Sequence, residues 1–412
     1  MHACDCAGSF CLRGVEGGVV TTSFVVPTKP GDSLELRAFS FDDWIPDHCR
    51  NCGVGNDNET NMSNELKYGI NLRTHDVPEM VFKARVAEAL QRGESRYPIF
   101  RKVRFAARVE LEALLDAVAL DPAWRAARIT GSYMVLDGDD FMITGWGSRK
   151  ADYCSCHFNI WAQDVATAEA MRERLLSKAS ATRITEPMFT INWAFLSGND
   201  VETAEIEEIA DGALLDEAYP ELKGGVQSFL ERYLDAKETI LVLQGPPGTG
   251  KTRLIRAILG EISRRKEEGE SAQVLYTGDM KALQGDSIFV KFITGWDDAF
   301  VVEDADHMLK PRSDGNDHLH RFLTIADGVV RSQGRKIIFS TNLPNVGDLD
   351  EALVRPGRCF ARGNVRALTA EEAHRLAVRV AAGDPEKLRR AEQLTAEGKR
   401  SYSVASVYQA VC

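Results

Sequence analysis

Apolar and polar positions are distributed differently in the two halves of this 412-residue chain. In the first half, short alternating or mixed runs predict strands over residues 19–26, 34–41, 129–136, 141–146, 156–161 and 189–195. Apolar positions at helical spacing predict amphipathic helices over 79–91, 108–119 and 165–178, and a polar stretch over 53–64 separates two lobes. This mixture predicts an α+β domain without a long internal repeat. In the second half, Thr239-Ile240-Leu241-Val242-Leu243, Ala299-Phe300-Val301-Val302 and Lys336-Ile337-Ile338-Phe339-Ser340-Thr341 are nearly continuous apolar runs, as in parallel strands buried on both faces. A helical stretch over 253–259 follows the first run, and two more helices are expected over 370–381 and 385–395.

Between the first run and its helix lies Gln244-Gly245-Pro246-Pro247-Gly248-Thr249-Gly250-Lys251-Thr252, which fits the phosphate-binding pattern G-x-x-x-x-G-K-[ST]. Glycines let successive backbone N–H groups curl around a phosphate, and the helix presents its positive end to the same anion. Lys251 is then placed to reach the β- and γ-phosphates and Thr252 to ligate Mg²⁺. A plain Gly/Pro-rich turn is the competing reading, and the downstream sequence argues against it. The second apolar run ends in Glu303-Asp304-Ala305-Asp306, carboxylates at the end of a central strand facing the phosphate crevice. Glu303 is assigned to the Mg²⁺ shell and Asp304 to polarising the attacking water. The third run delivers Asn342 to the same edge, where an amide holds water or the γ-phosphate. In Leu349-Asp350-Glu351-Ala352-Leu353-Val354-Arg355-Pro356-Gly357-Arg358, the two arginines read as arginine fingers that neutralise phosphoryl charge, often across a subunit boundary.

With these four segments in this order, the chain resembles the AAA family of ATPases over roughly residues 206–412. The resemblance implies an α/β P-loop fold: a parallel αβα sheet, a small C-terminal helical lid, and a ring hexamer with ATP at the subunit interfaces. It divides the chain into an N-terminal α+β domain (1–205) for client or partner recognition, a large ATPase domain (206–365) and the lid (366–412). The segment Tyr402-Ser403-Val404-Ala405 lies where many relatives carry a lid segment that touches nucleotide, but it lacks their Gly-Ala-Asp wording and takes no role here. The order Glu303-Asp304, reversed from the usual Asp-Glu, and the stretch Leu323-Thr324-Ile325-Ala326-Asp327-Gly328-Val329 resemble the branch containing Bcs-type translocases. That branch's membrane helix has no counterpart, because no apolar run approaches the ~18–20 residues a crossing needs. Lys281-Ala282-Leu283-Gln284-Gly285-Asp286-Ser287 lines up with the family's pore loop; Leu283 occupies the aromatic place, and Met280 and Leu283 are the expected grip on a polypeptide.

A formal charge of −11 favours a soluble protein and disfavours nonspecific nucleic-acid binding. The nine cysteines and the absence of a signal-peptide pattern fit reduced thiols in a cytoplasmic protein. Cys49-Arg50-Asn51-Cys52-Gly53 supplies two candidate zinc ligands, with the second pair open between Cys4 and Cys6 or Cys156 and His157; free thiols are the competing reading. The leading function is ATP-driven remodelling, unfolding or translocation of a protein client by a homo-hexamer. The competing one is an ATP-gated switch or scaffold whose N-terminal domain binds nucleic acid or a partner protein.

Overall fold

The computed structural model describes residues 10–16, 19–25 and 38–39, five helical positions between 80 and 91, and 97–412 except 199, 268, 312–318, 328–333, 346–348, 354, 356 and 397–400. Residues Met1–Val77 and Pro78–Cys412 are separate units. In the first, β1 (Phe10–Glu16) and β2 (Val19–Val25) pair antiparallel with Glu16 opposite Val19, and β3 (Ala38–Phe39) pairs with β2. The polar stretch 53–64 and Cys4, Cys6, Cys49 and Cys52 lie outside the described residues.

The second unit holds two sheets. Strands β4 (Ile99–Ala107), β5 (Arg125–Arg128), β6 (Tyr133–Asp137), β7 (Phe141–Arg149), β8 (Cys154–Ala162) and β9 (Arg183–Ile184) form an antiparallel sheet in the order β5-β6-β7-β8-β4-β9. Helices α1 (Leu111–Ala119) and α2 (Val165–Ser177) cover one face, burying Leu111, Leu115, Val118 and Leu175 against Val103, Phe105, Ile143 and Phe158. Alternation along β8 sends Cys154, Cys156, Phe158 and Ile160 into that core and turns His157 and Asn159 to the other face. Cys156 and His157 therefore face opposite sides of one strand and cannot serve as a ligand pair. Among the described residues no group of three or more His, Cys, Asp or Glu is arranged to hold a metal ion.

The other sheet has seven strands: β10 (Met188–Ser197), β11 (Asp200–Ile209), β12 (Ile240–Gln244), β13 (Ala272–Thr277), β14 (Ala299–Val302), β15 (Lys336–Thr341) and β16 (Cys359–Asn364), ordered β11-β10-β13-β14-β15-β12-β16. All pairings are parallel except β10 with β11. By pairing, the sheet begins at Met188, upstream of residue 206 where the sequence resemblance starts. Strand β12 is buried at every position: Leu241 and Leu243 face one core with helices α3 (Gly225–Asp235) and α4 (Lys251–Arg264), while Ile240 and Val242 face another. The second core packs Phe322 of α5 (Leu319–Asp327) edge-to-face against Phe339 with ring centroids 4.9 Å apart. Leu283 is fully buried in this core, with Met280 packed against it, so Leu283 is not available to grip a client. The exposed positions of that loop are Lys281, Gln284, Gly285, Asp286 and Ser287, and Arg321 holds it by an ion pair to Asp286 (2.6 Å) and a bond to the Gln284 carbonyl (2.9 Å).

Helices α6 (Ala370–Ala381), α7 (Pro385–Ala396) and α8 (Val404–Val411) form the lid and share the first core with the sheet. A capping box between Thr369 and Glu372 starts α6, and Arg366 grips the Glu372 carboxylate with two bonds of 2.7 Å. The two sheets meet at a buried polar junction. Glu207 of β11 lies 2.5 Å from Arg104 Nη2 of β4 and 2.5 Å from His157 Nε2 of β8, and it accepts the Ser155 hydroxyl at 2.5 Å. Arg104 also donates to Thr190 and Ser271 of the seven-stranded sheet's side. Burial pushes the Glu207 carboxyl up, but the His157 bond and the His157 and Arg104 charges outweigh it and hold the group at about 2.

Candidate nucleotide site

Strand β12 ends at the C-terminal edge of the sheet, and residues 245–250 turn there into the N-terminus of α4. The turn demands glycine at two places. A Cβ on Gly245 would lie 1.8 Å from the Val365 carbonyl oxygen. Gly250 has φ +92°, and a Cβ there would meet the Tyr219 hydroxyl at 2.7 Å, the group that donates to the Gly250 carbonyl. With these close approaches the loop's amides and the first N–H groups of α4 open onto a cleft of about 630 Å³.

Lys251, Thr252, Glu303, Asp304 and Asn342 all line that cleft. Lys251 Nζ donates to the Gly245 carbonyl (2.7 Å), the Pro246 carbonyl (3.0 Å) and Asn342 Oδ1 (2.8 Å). Burial lowers its pKa, opposed by the charges of Asp304, Asp306 and Glu303. Thr252 Oγ1 donates to Glu303 Oε1 at 2.5 Å, and Tyr276 donates its phenol to Glu303 Oε2 at 3.0 Å. Asp304 occupies the left-handed region (φ +49°), where its amide donates to Ser340 Oγ and its carboxylate accepts the Asn342 side-chain amide at 3.0 Å. Asp306, quoted in the sequence without a role, accepts from Thr341 Oγ1 (2.6 Å) and the Asn342 backbone N–H (2.8 Å). It thereby fixes the strand end that carries the amide.

Three contributors had no recognisable motif. Tyr276 comes from β13, adjacent to β14 in the sheet. The lid segment left without a role reaches the loop directly: Ala405 N–H donates to the Gly248 carbonyl at 2.9 Å, and Val404, Ala405 and Tyr408 line the cleft. Arg253 of α4 lies over the Tyr408 ring, 4.9 Å from its centroid. Arg355 and Arg358 do not line this cleft. Arg358 donates to the Ala352 carbonyl (2.9 Å), and its own carbonyl accepts from Ile240 N–H, at the start of β12. The loop follows the other end of that strand, about 13 Å away at ~3.3 Å per residue.

The donor set suits a nucleoside triphosphate with a hard divalent cation: curled amides and an ammonium for phosphates, and a hydroxyl beside carboxylates for the cation. Fold and cleft together define a P-loop nucleotide-binding protein with a lid. Residues 241–366 match the ATPase family associated with various cellular activities (AAA), so the chain carries an AAA ATPase domain over that stretch. It is 32% identical over 177 residues to the ATP-dependent zinc metalloprotease YME1 homolog of Caenorhabditis elegans, covering 41% of this chain and 22% of that protein. With ATP-dependent zinc metalloprotease FtsH 2 of Symbiobacterium thermophilum it shares 29% over 179 residues, 41% of this chain and 28% of the relative. An AAA-ATPase of Arabidopsis thaliana is 32% identical over 164 residues, 34% of each chain. The matches thus span from about a fifth to a third of these relatives' lengths. None of the eight histidines here is followed by glutamate, so the sequence contains no His-Glu-x-x-His zinc motif. No helix among the described residues is long and apolar enough to cross a membrane.

Proposed function

We propose that this protein hydrolyses Mg·ATP and uses the cycle to remodel a protein client as a homo-oligomeric ring. The observation that carries this reading is the convergence on one cleft of Lys251, Thr252, Glu303, Asp304 and Asn342 from three strand ends, with the lid closing over them through Ala405 and Tyr408. In this reading the loop from Gly245 to Gly250 and Lys251 bind the phosphates, and Thr252 and Glu303 hold Mg²⁺. The cation neutralises charge on the transferring phosphoryl group. Asp304 polarises water, and the Asn342 bond to its carboxylate orients it for that work. Arg355 and Arg358, near the opposite end of β12 from their own loop, act on a neighbouring subunit's nucleotide. The lid shares a core with the sheet, so rotation about the 365–369 connection moves α8 against the loop. The N-terminal α+β domain presents the client, and within the second unit its six-stranded sheet is tied to the ATPase sheet through Glu207.

The buried Leu283 favours one refinement: a ring that reorients or separates its client in place of threading it. An ATP-gated switch remains the second reading on the same observation. Light scattering on Asp304→Asn with and without Mg·ATP tests the ring. A nucleotide-dependent rise to about six subunit masses is expected. Hydrolysis by the variant should fall about 10²–10⁴-fold while nucleotide stays bound. A monomer under every condition would leave Arg355 and Arg358 as structural charges and put the switch first.

A further inference from the structure

Glu303 has two carboxylate oxygens and each has its own hydroxyl donor. Thr252 belongs to the phosphate loop; Tyr276 does not, and no motif calls for it. Tyr276 is the penultimate residue of β13, and β13 pairs in parallel with β14, whose end leads into Glu303. Its phenol reaches Glu303 Oε2 at 3.0 Å from the side opposite the loop, while Thr252 holds Oε1 at 2.5 Å. The Tyr276 ring is itself braced. Trp193, its register partner on β10, meets it edge-to-face with centroids 5.9 Å apart and an interplanar angle of 90°.

We infer that Tyr276 is a positioning residue for Glu303: its hydroxyl keeps one carboxylate oxygen turned away from the loop so that the other faces Thr252 and the cation's place, and Trp193 keeps the phenol in line. This rests on the Mg·ATP reading of the cleft. An unbraced glutamate would lose side-chain entropy on meeting a cation, whereas one already held by a phenol meets it with the rotamer set. The hydroxyl touches Glu303 and not the loop, so its loss should weaken the cation-dependent part of binding and spare the cation-independent part.

The test titrates a fluorescent, non-hydrolysable ATP analogue in EDTA and across a Mg²⁺ series, on the full chain and on Tyr276→Phe, with no turnover involved. In EDTA the two proteins should bind alike within about twofold. The Mg²⁺ concentration that half-saturates the tightening should rise about tenfold in the variant, from the loss of one hydrogen bond to a charged group. Trp193→Ala should move it in the same direction by less, and it carries the test if Tyr276→Phe fails to bind in EDTA. An unchanged Mg²⁺ midpoint in the variants, with wild type tightening normally, overturns the positioning role alone. A wild type whose analogue binding ignores Mg²⁺ overturns the reading of the cleft and this inference with it.

Discussion

Two polar clusters in this protein use similar groups to opposite ends. At the junction of the two sheets, Arg104, His157 and Ser155 converge on the single carboxylate of Glu207, and that site is closed. In the cleft, Lys251 is shared among two loop carbonyls and an amide, and Thr252 and Glu303 satisfy one another beside about 630 Å³ of open space. Every partner in the cleft can be exchanged for a phosphate oxygen or a cation without leaving a charge buried alone. None at the junction can. Charge and hydrogen bonding do not by themselves mark a functional site; exchangeable partners next to solvent do.

The comparison is tested most severely by Lys251→Ala. Its ammonium is expected to make charge-assisted bonds to two phosphates, each worth about 1.5–3 kcal/mol, so ATP affinity should drop by two orders of magnitude or more. Stability should fall by no more than about 1–3 kcal/mol, the cost of leaving the buried Gly245 carbonyl unpaired, because the exposed Pro246 carbonyl rehydrates. Calorimetric titration with ATP analogue beside a denaturant melt reads both quantities. A large loss of stability with intact binding would mean that the lysine is a structural brace like Arg104.

The reverse split is expected for Glu207→Ala. Removing one partner of a buried ionic cluster leaves Arg104 and His157 uncompensated, at a cost of about 3–5 kcal/mol, while nucleotide affinity in the cleft stays within a factor of about three. A cycle with Arg104→Leu should show coupling, the double variant losing less than the sum of the singles. Because the folded carboxyl is held at about 2, well below its unfolded value, its contribution is present above roughly pH 4.5 and is lost as pH falls toward 2. The variant's unfolding curve should therefore be flatter than wild type over that acid range. Equal slopes would show that the junction's charges are not what joins the sheets.

The cleft was largely legible from sequence and the junction was not, and the reason is range. Strands β12, β14 and β15 are buried on both faces and announce themselves as apolar runs, and each carries its chemistry at its own end. Strand β11 reads Asp-Val-Glu-Thr-Ala-Glu-Ile-Glu-Glu-Ile, and β4 carries Arg101, Lys102 and Arg104; both look like solvated segments. Glu207 is tolerable inside only because Arg104, 103 residues away, meets it, a pairing that no local pattern encodes. Tyr276 was missed for the same reason, since only the sheet order sets it beside Glu303. Leu283 shows the converse: alignment put it at a pore, but Ala282-Leu283 is an apolar pair beside a hydrophobic core, and burial claimed it.

Glu221 belongs to neither kind and gives the mildest and most discriminating test. It follows the short turn Asp216–Ala218, which packs on lid helix α6, and both its carboxylate oxygens are buried without a side-chain donor. Burial pushes its pKa up to about 7, helped by the Glu372 charge and opposed by Arg366. The sign follows from proton uptake. Between the unfolded value near 4.5 and the folded value near 7 only the folded state keeps the proton, so this contribution is full below about pH 4.5 and is lost as pH rises through 7. Glu221→Gln supplies a permanently neutral side chain of the same shape. The variant should match wild type at pH 5 and melt a few degrees higher at pH 8, a small effect because the residue is only half-buried. Thermal melts of both proteins from pH 5 to 8 measure it. A variant less stable than wild type at pH 8 would mean that the ionised carboxylate finds a donor on the lid, Arg366 being the cation whose charge acts on it, and Glu221 would then join Glu207 as a fixed ionic tie.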